Sequence, residues 1–555
     1  MVTEASHLKR FKQYMKCKIA IEGGGMRILA LKPGHDGHIT SVNDGVLDFS
    51  LEAEKDSGHR YAEVDGINFA TALSRLEQTP DVYALSGWAS GDRPAGRHIG
   101  AGYFGVDRTE MGGVRMCGEN LHYFSSTHER SHLMCSYALS PFPQGTKCFA
   151  LIWEGYIGAF YEIDEQVNIN CRSRIMAGPG IRYAFAYALC DPTFDLAEGH
   201  VRLSDAGKLM ALAAYEPKVN ATLEEEMLLA RLMSEPQQVP VSKKDSFSSF
   251  SAFNCGVESV TGKRLARLIS DALLGFFKSK IADLVTEKRP LLIGGGCGLN
   301  CDWNRSFLDC GLFTDVFVPP CTNDSGSAIG TAADAQLALT GDGKIKWSVY
   351  CGDPFLDDLD AKNTKKLGEF LHVSSRPEVA ARLLYAGAVL AWISGRSEMG
   401  PRALGNRSLL AEPFNSATSC RLNRIKNRES FRPIAPICLE EDVAVHFDLD
   451  RPSPHMLYFS RVRNDTLYAV THVDGSSRVQ TVNHEENPRL HGLLNAFKRE
   501  SGSGVLCNTS LNFNGKGFIN RTADLLRYAN LVGLDGFAIE GAIFIRDPHR
   551  FKHCL

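Results

Sequence analysis

No stretch of this sequence approaches the roughly 18 consecutive apolar residues that a membrane helix requires. The best run, Leu383 to Ile393, is interrupted by Gly387 and reads as a helix end joined to a strand. The opening residues, MVTEASHLKRFKQYMKCKIA, carry basic side chains but lack the apolar centre of a secretory signal. Charge excess is missing as well. A formal net charge of -3 gives no field to gather a nucleic-acid backbone, which argues against DNA or RNA as the main partner. The 16 cysteines include no CxxC pair, and Cys297 and Cys301, flanking a Gly-rich turn, read as small core residues. Reduced thiols and a cytoplasmic location are therefore expected.

What is present is an ordinary globular composition, 44% hydrophobic and 23% charged, in a chain of 555 residues long enough for two or three domains. Gly395 to Pro413, GRSEMGPRALGNRSLLAEP, organises the second half. It follows an apolar strand, Ala388 to Ile393, and sets Arg396, Arg402 and Arg407 among three glycines. A planar fork of donors grips phosphate or carboxylate at two points, so the set predicts an anion site. The competing reading is a surface turn whose arginines pair with Glu398 and Glu412. Lys426, Arg428 and Arg432 in NRIKNRESFRP, then Arg478, add to the positive charge. Asn508 to Asn514, NTSLNFN, predicts an uncharged donor loop after a strand ending at Leu506.

The first half begins with a strand, Met26 to Lys32, and a turn, Pro33-Gly34-His35-Asp36-Gly37. Two alternating runs around Asn43-Asp44-Gly45 predict a hairpin. The pattern restarts at Lys147 to Asp164, with Glu154-Gly155 as its turn, which suggests an internal duplication. His35 sits where a side chain can face a cleft and take a proton from a hydroxyl, although it could equally cap the turn. His128-Glu-Arg-Ser-His132 places two histidines on one helical face. Read literally it is the HExxH of zinc peptidases, but the longer pattern fails at Cys135 and Ala138. With Asp324, at the start of a later helix, the pair would make a two-His, one-carboxylate face suited to Fe(II) or zinc. A strand ending in Gly294, Gly295 and Gly296, followed by Asn300, predicts a phosphate- or ribose-binding turn. Residues 236–251 read as a polar, Ser-rich surface loop.

GPRALGNRS, IKNRESFRP and NTSLN, in that order, resemble the O-carbamoyltransferases of antibiotic and nodulation-factor biosynthesis, and LKPGHDG, SLEAEKDS and DVYALSGWA resemble the cephem-modifying branch. The resemblance implies an α/β architecture: an actin-like ATPase domain of two similar halves followed by a YrdC-like domain. The expected divisions are an extension at 1–25, the actin-like domain at 26–351, a linker at 352–370 and the YrdC-like domain at 371–555. It implies His35 with Asp36 as the catalytic base pair, and iron on His128, His132 and Asp324, although Glu129 and Ser131 depart from the family's usual HHxAH. Nucleotide would lie against Gly294, Gly295, Gly296 and Asn300. Carbamoyl phosphate and ATP with Mg²⁺ would be held by Arg402, Lys426, Arg432, Arg478, Asn508 and Ser510, giving carbamoyl-adenylate and pyrophosphate. The carbamoyl group would then pass to a hydroxyl on a small molecule, with no nucleic acid or membrane involved and a homodimer as the default. A tRNA threonylcarbamoyl-adenosine synthesis protein and an actin-like small-molecule kinase are the alternatives.

Overall fold

A hairpin closed by Asp44 and Gly45, both at positive φ (48° and 73°), pairs His38–Asn43 with Val46–Glu52 and starts the first sheet. The computed structural model describes residues 25–90, 97–116, 118–196, 200–218, 220–234 and 243–555. Residues 1–24 of the expected extension and 236–242 of the expected Ser-rich loop lie outside them. The described end of that loop is anchored rather than free, because Phe247 is fully buried in a hydrophobic cluster.

The first sheet runs Val46–Glu52, His38–Asn43, Arg27–Lys32, Val82–Ser86, Glu119–Ser126, Thr109–Met116. Its first three strands are antiparallel, and Arg27–Lys32, Val82–Ser86 and Glu119–Ser126 are parallel. The second sheet runs Ile169–Ala177, Ile157–Ile163, Cys148–Trp153, Leu291–Gly294, Val316–Phe317. It repeats the scheme: an antiparallel trio, then parallel strands on the far side of the first one. The duplication expected at residue 147 is thus present in the topology. Helices His128–Leu139 and Gly326–Thr340 pack together beside these sheets. Arg130 clamps that pair by bidentate donation to Asp334 at 2.7 and 2.8 Å.

The remainder builds a nine-stranded mixed sheet whose centre is Gly536–Ile539, Leu390–Ile393, Arg407–Ala411, Val505–Ser510 and Ala435–Leu439. Its first edge strand, Lys366–Leu367, falls inside the span expected to be linker. Gly387, at φ 88°, separates the Pro377–Tyr385 helix from the Leu390–Ile393 strand, as the sequence predicts. The chain is therefore mixed α/β throughout. Its two halves share cores: Phe431, Leu457 and Tyr458 join the cluster around Trp153, and Met399, Leu404 and Met456 join that around Ala328. Among the described residues no helix is long and apolar enough to cross a membrane.

Candidate functional site

Thr127 caps the His128–Leu139 helix by accepting the Arg130 N–H at 3.1 Å, which fixes where the first turn faces. His128 and His132 then lie one above the other, their Nε2 atoms 3.2 Å apart and both fully enclosed. Asp324 meets them from the loop before the Gly326–Thr340 helix, with Oδ1 3.7 Å from His128 and 3.4 Å from His132. The sequence reading missed a fourth donor. Glu154 Oε2 stands 3.3 Å from His128 Nε2 and 3.5 Å from His132 Nε2. It follows Trp153, which is stacked between Phe277 and Trp303 at 4.6 and 4.5 Å, so the hairpin end cannot drift. Tyr103 donates to its other oxygen at 2.9 Å. An acid between two apolar strands, where a turn ordinarily takes Asn or Asp before Gly, was the available signal.

These four residues could hold a metal ion, their ligand atoms lying within 4.8 Å of one another. The closer separations, 3.2 to 3.7 Å, match the edge of a tetrahedron with bonds of about 2.0–2.1 Å. Burial opposes charge on all four. Even so, His128 and its neighbours hold the Glu154 carboxyl down to about 2, and His128, Lys32 and His35 keep that of Asp324 well below its usual range. Against burial, hydrogen bonds to Asp324 and Glu154 carry His132 up to about 10, whereas burial prevails at His128 and lowers it. Two ionised carboxylates facing two imidazoles is a donor set that fits a divalent cation.

His35 stands beside this cluster, Nε2 3.6 Å from Asp324 Oδ2 and Nδ1 3.4 Å from Asp36 Oδ2. Its ring meets Trp88 edge-on at 5.2 Å. The cap alternative fails among the described residues: it is Lys32 Nζ that bonds the His35 carbonyl, while the imidazole faces the cavity. Lys32 is itself fully buried, 3.4 Å from Asp324 Oδ2 and 3.9 Å from the Trp88 ring centre.

Of the three glycines, Gly296 lines the cavity, whereas Gly294 and Gly295 serve close packing. A Cβ on Gly295, which sits at φ 92°, would lie 2.6 Å from the Trp153 carbonyl oxygen. Asn300 caps the Cys301–Asp309 helix through Oδ1, and its buried Nδ2, without a partner, is left to the cavity it lines. Cys301 is buried as expected, and Cys297, partly buried, packs against the core around Trp153 while also lining the cavity.

The arginine cluster differs from the expectation. Arg407 is fully buried and donates to the carbonyls of Ser394, Gly395, Asn406 and Asp353, and Arg396 donates to those of Cys351 and Gly352. Both tie down loop backbone, and Glu398 accepts three backbone N–H groups from Leu404, Asn406 and Arg407. Of the three arginines in that stretch only Arg402 lines the cavity, where Arg428, Arg432, Arg478, Asn508 and Ser510 join it. Asn508 and Ser510 lie on the Val505–Ser510 strand, not in the loop predicted for them. Lys426 sits behind, donating to the carbonyls of Ser510 (2.7 Å) and Asn512 (2.9 Å). Burial, then repulsion from Arg478, pushes Arg402 down to about 9, and burial with Arg432 and Arg478 does the same to Arg428. The buried Nε atoms of Arg402 and Arg478 and Oδ1 of Asn508 have no partner. Cations gathered in this way, with Arg432 near Glu429 at 3.7 Å, suit an anion.

One cavity of about 600 Å³ is lined by members of both clusters, Glu154 and Asp324 of the first and Arg402 and Arg478 of the second, together with His35. Comparison with known proteins gives these features a context. "Carbamoyltransferase N-terminus" matches residues 115–333 and "Carbamoyltransferase C-terminus" residues 381–546. The 3'-hydroxymethylcephem-O-carbamoyltransferase of Amycolatopsis lactamdurans is 45% identical over 518 residues, 93% of this chain and 98% of that one. Nodulation protein U of Rhizobium tropici is 32% identical over 567 residues, 94% and 96% of the two chains. The chain belongs to the O-carbamoyltransferase family.

This carbamoyltransferase is accordingly a transferase. Its buried four-donor cluster falls in the first matched region and Arg402, Arg428, Arg432 and Arg478 in the second, while His35 and Arg60, which also lines the cavity, precede both. Solved structures give only a faint likeness: a ROK family glucokinase from Streptomyces griseus is 12% identical with a TM-score of 0.28, covering 55% of this chain and 98% of that one. Likeness at that level carries no argument about the site. The peptidase reading of HERSH fails on geometry. Glu129 turns away from the histidines to accept from Tyr161 at 2.5 Å and from the Gly105 N–H at 2.9 Å, with Arg174 at 2.7 Å.

Proposed function

We propose that this carbamoyltransferase activates carbamoyl phosphate with ATP at the arginine cluster and transfers the carbamoyl group to an alcohol beside His35. The supporting observation is the single cavity that touches both clusters. A carbamoyl carbon is a poor electrophile because its nitrogen donates into the carbonyl, so transfer needs a better leaving group than the free acid offers. The atoms balance in two steps. Water cleaves carbamoyl phosphate to carbamate and phosphate; a carbamate oxygen then attacks the α-phosphorus of ATP, and pyrophosphate leaves. Arg402, Arg432 and Arg478, with Lys426 behind them, would neutralise the phosphates, Asn508 and Ser510 would orient the carbamoyl end, and Mg²⁺ would arrive with ATP. The second domain is proposed to be of the YrdC type and the first actin-like.

The adenylate would cross within the cavity to Gly296 and Asn300. His35, steadied by Asp36, would accept the proton of the acceptor hydroxyl as its oxygen attacks the carbamoyl carbon, and AMP would leave. His128, His132, Glu154 and Asp324 would hold a divalent metal, Fe(II) with zinc as the alternative, which when bound polarises oxygens of the adenylate. Two relatives are named for a hydroxymethylcephem, so a hydroxymethyl group on a secondary metabolite is the proposed acceptor class. The test is pyrophosphate and AMP formation from ATP and Mg²⁺ without acceptor. Release that requires carbamoyl phosphate supports the reading. ADP in place of AMP, or no release after iron is restored, overturns it.

A further inference from the structure

The Glu52–Tyr61 segment comes from the first half of the chain but is seated on the second. The Gly400 N–H donates to Glu52 Oε1 at 2.7 Å, and Lys55 Nζ, paired with Glu52 at 2.8 Å, donates to the Glu398 carbonyl. Gly517 approaches the Glu54 carbonyl so closely that no Cβ would fit there. The chain leaves its short helix Ala53–Ser57 through Gly58 and holds Tyr61 at φ 59°, where the Tyr61 N–H bonds Glu54 Oε2 at 3.1 Å. A bulky residue in the left-handed region is strained, and such strain persists only where the surroundings impose it. The consequence is the placement of Arg60.

Arg60 lines the same cavity as Arg402, Arg428, Arg432 and Arg478. Burial is the main reason that Arg402, Lys426 and Arg432 have lowered pKa values, and the Arg60 charge adds to the lowering of all three from across the domain boundary. The Arg60 side chain is 40% exposed, and against its partial burial Tyr61, Glu54 and Asp36 raise its pKa. Among the described residues its ion contact is a 3.7 Å approach of Nε to Glu54 Oε2, beside a cation–π contact with Tyr61 at 5.1 Å. Cations gathered from two domains repel one another, and an anion between them reverses the sign of that interaction. We infer that Arg60 is a further anion-binding residue, supplied by the first domain, that adds to the phosphate site of the second within the cavity they share. The inference rests on the proposed function only in taking the anion to be a phosphate.

Calorimetric titration of the full-length protein with pyrophosphate, without nucleotide, tests it. Arg60→Ala should weaken binding about tenfold with an unchanged melting temperature, and Arg60→Lys should recover most of the loss. Arg424→Ala, which removes an exposed arginine outside the cavity, should bind as wild type does. An Arg60→Ala affinity within about twofold of wild type overturns the inference. So does a loss that Arg60→Lys fails to restore and that comes with a lowered melting temperature, because the role is then structural. Wild-type turnover of carbamoyl phosphate and ATP is read separately: its absence sinks the proposed function without altering the binding comparison.

Discussion

Arg402, in the second half of the chain, donates through Nη2 to the carbonyl of Leu299 at 2.9 Å, in the turn between Gly296 and Asn300. The residue expected to meet phosphate at one site is therefore bonded to the wall of the other. Nε of the same guanidinium has no partner. Arg402→Ala should lower carbamoyl-phosphate-dependent pyrophosphate release by about 10²–10³-fold, as expected for loss of a preorganised cationic donor. Arg402→Lys should recover only part of it, because an ammonium cannot serve two partners as a planar fork does. Stopped assays of pyrophosphate check both.

His35 should be dispensable for activation. His35→Ala is expected to leave pyrophosphate release within about twofold of wild type and to reduce carbamoylated product by about 10²–10⁴-fold, the range for loss of a general base. Parallel measurement of pyrophosphate and product on one sample decides it.

Metal content should separate Glu154 from Glu129. Glu154→Gln should cut the affinity for a divalent metal by roughly tenfold or more, measured by metal analysis after dialysis. Glu129→Gln should leave the content unchanged and cost about 1–3 kcal/mol of stability, since its carboxylate serves Tyr161, Arg174 and the Gly105 N–H. Equal metal loss in both variants would mean that Glu154 supports the site only through the fold and is not a ligand.

Acid should destabilise the fold through His38. Burial pushes this imidazole down to about 4, and it shares a 2.8 Å hydrogen bond with Ser50. The folded form prefers the neutral ring, so the contribution is fully present above the ordinary value of 6.5 and is lost as pH falls through about 4. His38→Gln should make the loss of stability over that window smaller by about 3 kcal/mol. Denaturant melts at the two ends of the window would show it.

Much of the first half was legible because its signals are local. Asp44-Gly45 fixes a hairpin, an apolar run ending in glycine marks Leu291–Gly294, and two histidines four apart share a helical face whatever surrounds them. Glu154 was not legible, since its meeting with His128 depends on how two sheets pack. Arginine composition alone could not divide Arg402, which faces the cavity, from Arg396 and Arg407, which bond loop carbonyls, because all three lie in one glycine-rich stretch. Asn508 and Ser510 were placed in a loop for their polarity, but pairing with Arg407–Ala411 and Ala435–Leu439 carries the strand through Ser510. The seating of the Glu52–Tyr61 segment on the second half of the chain is a tertiary relationship without a local sign.

If two half-reactions share one cavity, as proposed, an intermediate formed at Arg402 reaches His35 without leaving the protein. Mixing Arg402→Ala with His35→Ala protein tests it most directly, once each variant is shown to fold and the second to release pyrophosphate. With ATP, carbamoyl phosphate and acceptor, the mixture should make no more product than the two variants assayed apart. Product restored toward the wild-type level would mean that the intermediate diffuses from one molecule to another, and would contradict the account.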